Sequence, residues 1–234
     1  MSIGLLAVHN HYDLGTEWCA NGYNPAVGGT FESLWAHGAV HTELAAAAAL
    51  HMSSSSDSDT FNVEIKGLDA NWTPQTVTKA LAGKTETVVG TTETWIRVFS
   101  IRNVSATPAV GDVYVYLDDT VAAGIPQTQA KIQLKMLIGY EKSICGRLSV
   151  PADNAGRIVQ WGGFVAAAAA AEINLMYRPF GEVAEVLRIM SVYFNGHLVH
   201  LVMPIECGAK SDVFLRAKGG GAVSGIICGY IEPE

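Results

Sequence analysis

The stretch "IKGLDANWTPQTVT", Ile65 to Thr78, decides the fold class. Just before it and into it, Phe61, Val63 and Ile65 alternate with Asn62, Glu64 and Lys66. That is the period of two expected of a strand with one buried face. Gly67, Asp69 and Asn71 then tolerate turn geometry that bulkier residues resist. Pro74 lacks an N–H and suits a strand start, and Thr76, Val77 and Thr78 favour extended backbone. The expectation is strand, tight polar corner, strand, with Gly67 and Asn71 permitting the turn and Trp72 anchoring its edge.

Working outward, the same alternation recurs. Ile96 and Val98 oppose Trp95, Arg97 and Phe99; Val113, Val115 and Leu117 oppose Tyr114 and Tyr116. Ile132, Leu134, Met136 and Ile138 oppose Lys131, Gln133 and Lys135, and Ile173, Leu175 and Tyr177 continue the pattern. Asn195-Gly196 between two apolar runs reads as a hairpin turn, and residues 211–232 read as a final hairpin around a glycine loop. Short strands separated by turn signals predict an all-β, jelly-roll-like antiparallel β-sandwich.

The first 52 residues are less regular. An apolar run near the start reads as a strand, and "CANGYNPAVGGT" (residues 19–30) reads as loop. "TELAAAAALHM" (residues 42–52) reads as helix on alanine propensity, followed by a polar serine connector. The division expected is an N-terminal arm with extra strands and connector over 1–56 and a sandwich over 57–234, divisible near residue 148. The alanine runs 45–49 and 166–171 carry no pattern.

Of the 234 residues, 49% are hydrophobic and only 16% are charged, against roughly 25% charged in typical soluble domains. No run is long enough for a membrane helix, and no signal peptide is evident. A chain this apolar is expected to bury surface against other chains, including copies of itself. The net charge of −7, without a Lys/Arg cluster, argues against nucleic acid as a partner. Cys19, Cys145, Cys207 and Cys228 are scattered without a C-x-x-C pair, so free buried thiols are expected rather than a disulfide framework or zinc site.

No set of residues reads as a catalytic or cofactor site. His9 with His11, and His37 with His41 on a supposed helix, have spacings that can hold a metal, with Asp13 near the first pair. They read as ordinary polar histidines. His197 and His200 face opposite sides of a strand. Asp57 with Asp59 and Asp118 with Asp119 resemble fragments of calcium loops but lack the remaining oxygens, and read as solvated loop carboxylates. Cys207 lacks an activating partner and reads as a buried thiol at a strand end. Trp18, Trp35, Trp72, Trp95 and Trp161 are candidates for sugar stacking, though such residues more often fill cores and interfaces.

Together, residues 61–104, beginning "FNVEIKGLDANW", resemble virion structural proteins of tailed bacteriophages, especially marine ones. In those proteins a "GLDANY"-like corner precedes a Thr-rich hairpin and an aromatic-rich strand. Later segments are similar in the same order: "GYEKSICGRLSVPADNAGRIVQWGG" (139–163), "MYRPFGEV" (176–183), "PIECGAKSDVFLRAKGG" (204–220) and "ICGYIEPE" (227–234). Trp72 stands where that family has Tyr, and Lys79-Ala80 replace a more usual Thr-Leu. The resemblance covers residues 57–234 and implies a non-enzymatic protein without cofactors. It implies a capsid decoration (cement) protein on the capsid exterior, made in the host cytoplasm. Its partners would be the major capsid protein and itself, as a homo-oligomer with a trimer expected from capsid geometry. A receptor- or glycan-binding module of a tail or head fibre is the alternative.

Overall fold

A computed structural model describes residues 16–166, 170–193, 197–219 and 221–234. His9, His11 and Asp13, and the apolar run preceding them, lie outside the described residues, as do Asn195 and Gly196. The strands, in chain order, are β1 (Thr16–Val27), β2 (Glu32–Ser33), β3 (Leu50–Ser54), β4 (Asn62–Leu68), β5 (Pro74–Ala80), β6 (Thr87–Val89), β7 (Arg97–Asn103), β8 (Val113–Tyr116) and β9 (Val121–Ala122). They continue with β10 (Ile125–Pro126), β11 (Ile132–Met136), β12 (Arg147–Ser149), β13 (Asn154–Val165), β14 (Ala170–Arg178), β15 (Glu185–Tyr193), β16 (His197–Cys207), β17 (Asp212–Lys218) and β18 (Gly221–Pro233). The only helical element among the described residues is one 3₁₀ turn at Gln129–Lys131. The chain is therefore an all-β protein of packed antiparallel sheets.

The strands form two lobes with separate cores. In the C-terminal lobe, one sheet runs β1-β18-β13-β16 and the other β12-β17-β14-β15, with β2 added beside β17. Counting the eight main strands from one to eight within the lobe, these orders are 1-8-3-6 and 2-7-4-5. Successive strands mostly alternate between sheets, the wrapping of a jelly roll. Ile158, Trp161, Ile173, Leu175, Val213, Leu215, Val223 and Ile227 fill the space between the sheets. Each side chain of that size, once fully buried, contributes about 1.5–3 kcal/mol.

The N-terminal lobe is inserted between the first two jelly-roll strands. A sheet β11-β8-β3-β6 and a sheet β5-β4-β7 enclose Leu50, Met52, Ile65, Trp95, Ile101, Val115, Leu134 and Met136. Residues 1–56, read from sequence as arm and connector, are thus divided in their described part. β1 is the first strand of the jelly roll, while β3 is internal to the inserted sheet.

The opening corner is a hairpin. Leu68 pairs with Pro74, and the ladder runs without a break to Asn62 opposite Ala80. Asp69 organises the turn, accepting the N–H groups of Asn71 (2.8 Å) and Thr73 (2.9 Å) on its carboxylate. The roles of the corner residues differ from expectation. The left-handed backbone belongs to Trp72 (φ +64°), not to Gly67 or Asn71. Gly67 lies inside β4, where a Cβ would stand 2.1 Å from the Arg97 carbonyl oxygen. Glycine is needed there for close backbone approach, at the point where Phe99 bulges out of the β4–β7 register.

Four further expectations are corrected. Residues 42–49 are irregular and Leu50–Ser54 is a strand, not a helix. Leu50 and Met52 point into the core with His51 between them, so packing at period two overrides alanine propensity. The supposed loop at 19–30 is largely β1. Its Pro25 falls where the register with β18 breaks between Asn24 and Val27, the place in a strand that accepts proline. The two late hairpins are not hairpins: β15 pairs with β14 while β16 pairs with β13, and β17 and β18 lie in opposite sheets. Finally, Tyr114, Tyr116 and Gln133, expected on a solvent face, are buried, because both faces of β8 and β11 are covered.

Candidate functional site

The two lobes meet on a buried charged cluster built from strand ends. Asp212 opens β17, and in the sheet its neighbours are Ser149 at the end of β12 and Arg178 at the end of β14. Arg97 opens β7 of the other lobe and reaches across. Its Nε and Nη2 donate to Asp212 Oδ1 and Oδ2 at 2.8 and 2.9 Å, a bidentate pair. Its Nη1 donates to the carbonyls of Leu44 (3.0 Å) and Ile96 (2.7 Å). The indole of Trp72 lies 4.7 Å from the guanidinium carbon. Arg178 Nε (3.0 Å) and the Ser149 hydroxyl also donate to Asp212. Glu43 joins Arg97, Arg147 and Arg178, and Arg147 lies against His41.

Burial by itself would raise the Asp212 pKa. The Arg97 guanidinium, then Arg178 and the Ser149 hydroxyl, outweigh it and hold the carboxyl below its usual range. Burial likewise opposes the charge on Arg97, but Asp212 and Glu43 raise its pKa above the ordinary value. His41 goes the other way. Burial, and then the charge of Arg147, push its pKa well below normal, so the ring is neutral and its Nε2 faces the Gln133 carbonyl at 3.0 Å.

A cavity of about 50 Å³ touches this cluster, lined by residues that include His41, Glu43, Cys145, Arg147 and Arg178. It has room for a water or two. Arg97 spends its donors on Asp212 and on backbone carbonyls, and Asp212 accepts from Arg97, Arg178 and Ser149, so the pair ties the two lobes together. A wider groove of about 430 Å³ runs from Cys19–Asn21 of β1 to Tyr140–Leu148, with Phe99 and Ser100 on its floor.

The residues singled out in the sequence are scattered over this frame. His37 and His41 sit on an irregular segment, their rings 5.2 and 4.7 Å from Trp35, and the arginines around His41 disfavour a cation there. Asp59 is no solvated loop carboxylate. It is buried and accepts from Ser54 Oγ (2.5 Å) and from the N–H groups of Val110 and Gly111 (both 2.9 Å). Asp57 is exposed and pairs with Lys84; Asp119 accepts from the N–H and hydroxyl of Thr128. Trp35, Trp72, Trp95 and Trp161 are buried and Trp18 is half-buried. They fill cores and the lobe junction, so they are not a sugar-stacking platform.

Cys207 is a buried thiol at the end of β16, its pKa pushed up to about 12 by burial. Cys145 is also free and buried. The expectation of four free thiols fails for the other two: Cys19 and Cys228 form a disulfide between directly paired residues of β1 and β18. Their separation of 209 residues hid the pairing in the sequence. The ionic cluster was missed for the same reason, since residues 43, 97, 147, 178 and 212 share no motif and meet only where four strand ends and the irregular segment before β3 come together.

No protein-family model matches this chain, and no curated protein matches it in sequence.

Proposed function

We propose that this chain is a non-enzymatic structural protein of a phage virion, a decoration protein that sits on the capsid exterior and clamps neighbouring capsomers. One observation carries this reading: large apolar side chains stand exposed on and beside the outer strands of both jelly-roll sheets. Phe180 and Val183 in the β14–β15 connection, Val186 and Ile189 on β15, and Met203 on β16 are all exposed, Val183 at 87% and Met203 at 81%. β15 and β16 are the outer strands of their sheets, each with one unpaired edge. Large apolar residues exposed on such strands are the usual mark of a surface that another chain covers.

Other features support the same reading. The resemblance noted in the sequence supplies the partner, the major capsid protein, and with it a homo-oligomer. The Arg97–Asp212 pair fixes the lobes into one body suited to bridging two neighbours. A cross-strand disulfide suits a protein that works in an oxidising exterior. Many modest contacts repeated by symmetry would then add up to strong attachment.

The test is the copy number and location of the chain in purified particles, by cryo-electron microscopy with quantitative gel densitometry. Hundreds of copies on the icosahedral shell are expected. A dozen or so on the tail would replace this reading with a fibre module, and absence from the particle would overturn both. Charge on these exposed apolar positions, as in Ile189→Glu with Met203→Glu, is expected to cut particle binding at least tenfold while leaving the isolated chain folded.

A further inference from the structure

Away from the lobe junction, three side chains converge on one face of the β11-β8-β3-β6 sheet. His51 on β3 lies directly opposite Tyr116 on β8 and opposite Val88 on β6. Glu86 precedes Val88 by two residues and Asp118 follows Tyr116 by two. His51 and Tyr116, directly paired, share one side of the sheet, and Glu86 just before β6 and Asp118 in the bend after β8 bring their carboxylates to His51. One donor atom each from His51, Glu86 and Asp118 lie within 4.8 Å of one another.

The polar groups there are poorly satisfied among the described residues. His51 Nδ1 is buried with Glu86 Oε1 at 2.9 Å as its one close partner, in a contact that is not a well-aligned hydrogen bond. Glu86 Oε2 is buried without a partner among the described residues. The hydroxyl of Tyr116, a fully buried residue, lies within reach of Ser53 and Glu86 but completes no well-formed hydrogen bond among the described residues. That phenol borders the same carboxylate: burial raises its pKa, and Glu86 raises it further against a lowering from Ser53. A buried polar group left unsatisfied costs about 1–3 kcal/mol, and three poorly satisfied ones around one point call for a common partner. Asp118 is exposed, and its carboxylate has no partner among the described residues; its backbone carbonyl, not its side chain, holds Lys131.

We propose that His51 Nδ1, Glu86 and Asp118 bind a divalent transition-metal cation of the zinc class, with the Tyr116 hydroxyl or a water beside it. The charges match, since two carboxylates and a neutral imidazole balance a dication. The donor set matches too. One nitrogen and two carboxylates suit zinc, whereas calcium takes six to eight oxygens. Metal–ligand bonds near 2.0–2.2 Å in tetrahedral geometry place donors roughly 3.3–3.6 Å apart. The three donors lie within 4.8 Å of one another, so binding draws them together by roughly an ångström at most, a shift that the exposed Asp118 after the end of β8 is placed to supply. Such a cation would tie β3, the end of β8 and the start of β6 together.

The test uses the full chain stripped with a chelator, titrated with Zn²⁺ by calorimetry and followed by thermal melting. One Zn²⁺ per chain is expected, with a raised melting temperature and weaker binding of Ca²⁺ and Mg²⁺. Asp118→Asn, at an exposed position, is expected to leave the metal-free melting temperature unchanged and to weaken Zn²⁺ binding at least tenfold. His51→Gln is expected to abolish it. No stoichiometric binding would overturn the site. Zn²⁺ binding that survives both substitutions would also overturn it, by placing the ion on other histidines. Tighter binding of Ca²⁺ than of Zn²⁺ would overturn the class of cation.

Discussion

The inserted lobe and the jelly roll use the same strands and turns to opposite ends. In the inserted lobe, β4 and β5 are joined by a five-residue corner held by one aspartate, and even the longer tie, from Asp59 to the Ser54 hydroxyl and the Val110–Gly111 backbone, spans only about fifty residues. In the jelly roll, a long ladder joins the first and last of the described strands: β1 pairs with β18 across about two hundred residues, sealed by Cys19–Cys228, 209 residues apart. Local pairing closes readily, while distant pairing must overcome loop entropy before it returns any contact. The inserted lobe is therefore the part expected to form first and to depend on backbone fit. The jelly roll is expected to depend on its cross-links.

Gly67→Val breaks the first half of that contrast most severely. Any Cβ at Gly67 meets the Arg97 carbonyl oxygen, and the backbone on both sides is fixed by the β4–β5 and β4–β7 ladders. A loss of more than about 4 kcal/mol is expected, the range of large steric and backbone defects. Circular dichroism on heating would show it. An unchanged melting temperature would mean that β4 and β7 do not approach as described.

Next in size is the junction. Arg97→Met leaves Asp212 buried with Arg178 and Ser149 but without its bidentate partner. A loss of about 3–5 kcal/mol is expected for breaking such a pair, and the lobes should then unfold in two calorimetric steps instead of one. Adding Asp212→Leu to Arg97→Met should recover part of the loss by removing the stranded charge. A single sharp transition in the Arg97→Met variant would show that the lobes are coupled by their backbone crossing and not by the ion pair.

Cys19→Ser sharpens the other half. The chain-entropy account gives up to about 5 kcal/mol for so large a loop, and about 2–4 kcal/mol is typical. Hydrogen exchange should rise along β1 and β18 and stay unchanged along β4 and β8. Faster exchange in both lobes would mean that the inserted lobe needs a closed jelly roll in order to fold.

The same contrast explains what could be read from the sequence. Alternation at Val63, Ile65, Val113, Val115, Ile173 and Leu175 marked strands correctly, because a local period survives whatever the strand pairs with. Pairing did not follow from local signals. Asn195-Gly196 and the Gly219–Gly221 region carry hairpin chemistry, yet the strands on either side cross between sheets. Gly22, which suggested a loop, lies in β1 because a Cβ there would stand 2.6 Å from the Leu34 carbonyl where the chain crosses between lobes. His51, Glu86 and Asp118 are separated by more than thirty residues each, and only the register of three strands brings them to one face.

The smallest expected effect is on pH dependence, and it separates the junction from both cores. His41 has a folded pKa well below its unfolded value, through burial and then Arg147. As pH falls past about 6.5 the unfolded chain takes up a proton that the folded chain refuses, so stability falls with it. His37, lowered by burial and by Lys135, adds in the same direction. Asp212 acts lower down. Its folded pKa is depressed, so its contribution is complete above about 4 and is lost as pH falls through the folded value. Stability should thus decline in two stages, the first beginning as pH falls through about 6.5 and continuing toward the folded pKa of His41, the second adding below about 4 as Asp212 is protonated. His41→Asn should flatten the first stage without removing it, since His37 remains, and should leave the second intact. Denaturant titration at a series of pH values measures both. A first stage unchanged by His41→Asn would show that the ring exchanges protons freely, and that the guanidinium groups do not enclose it.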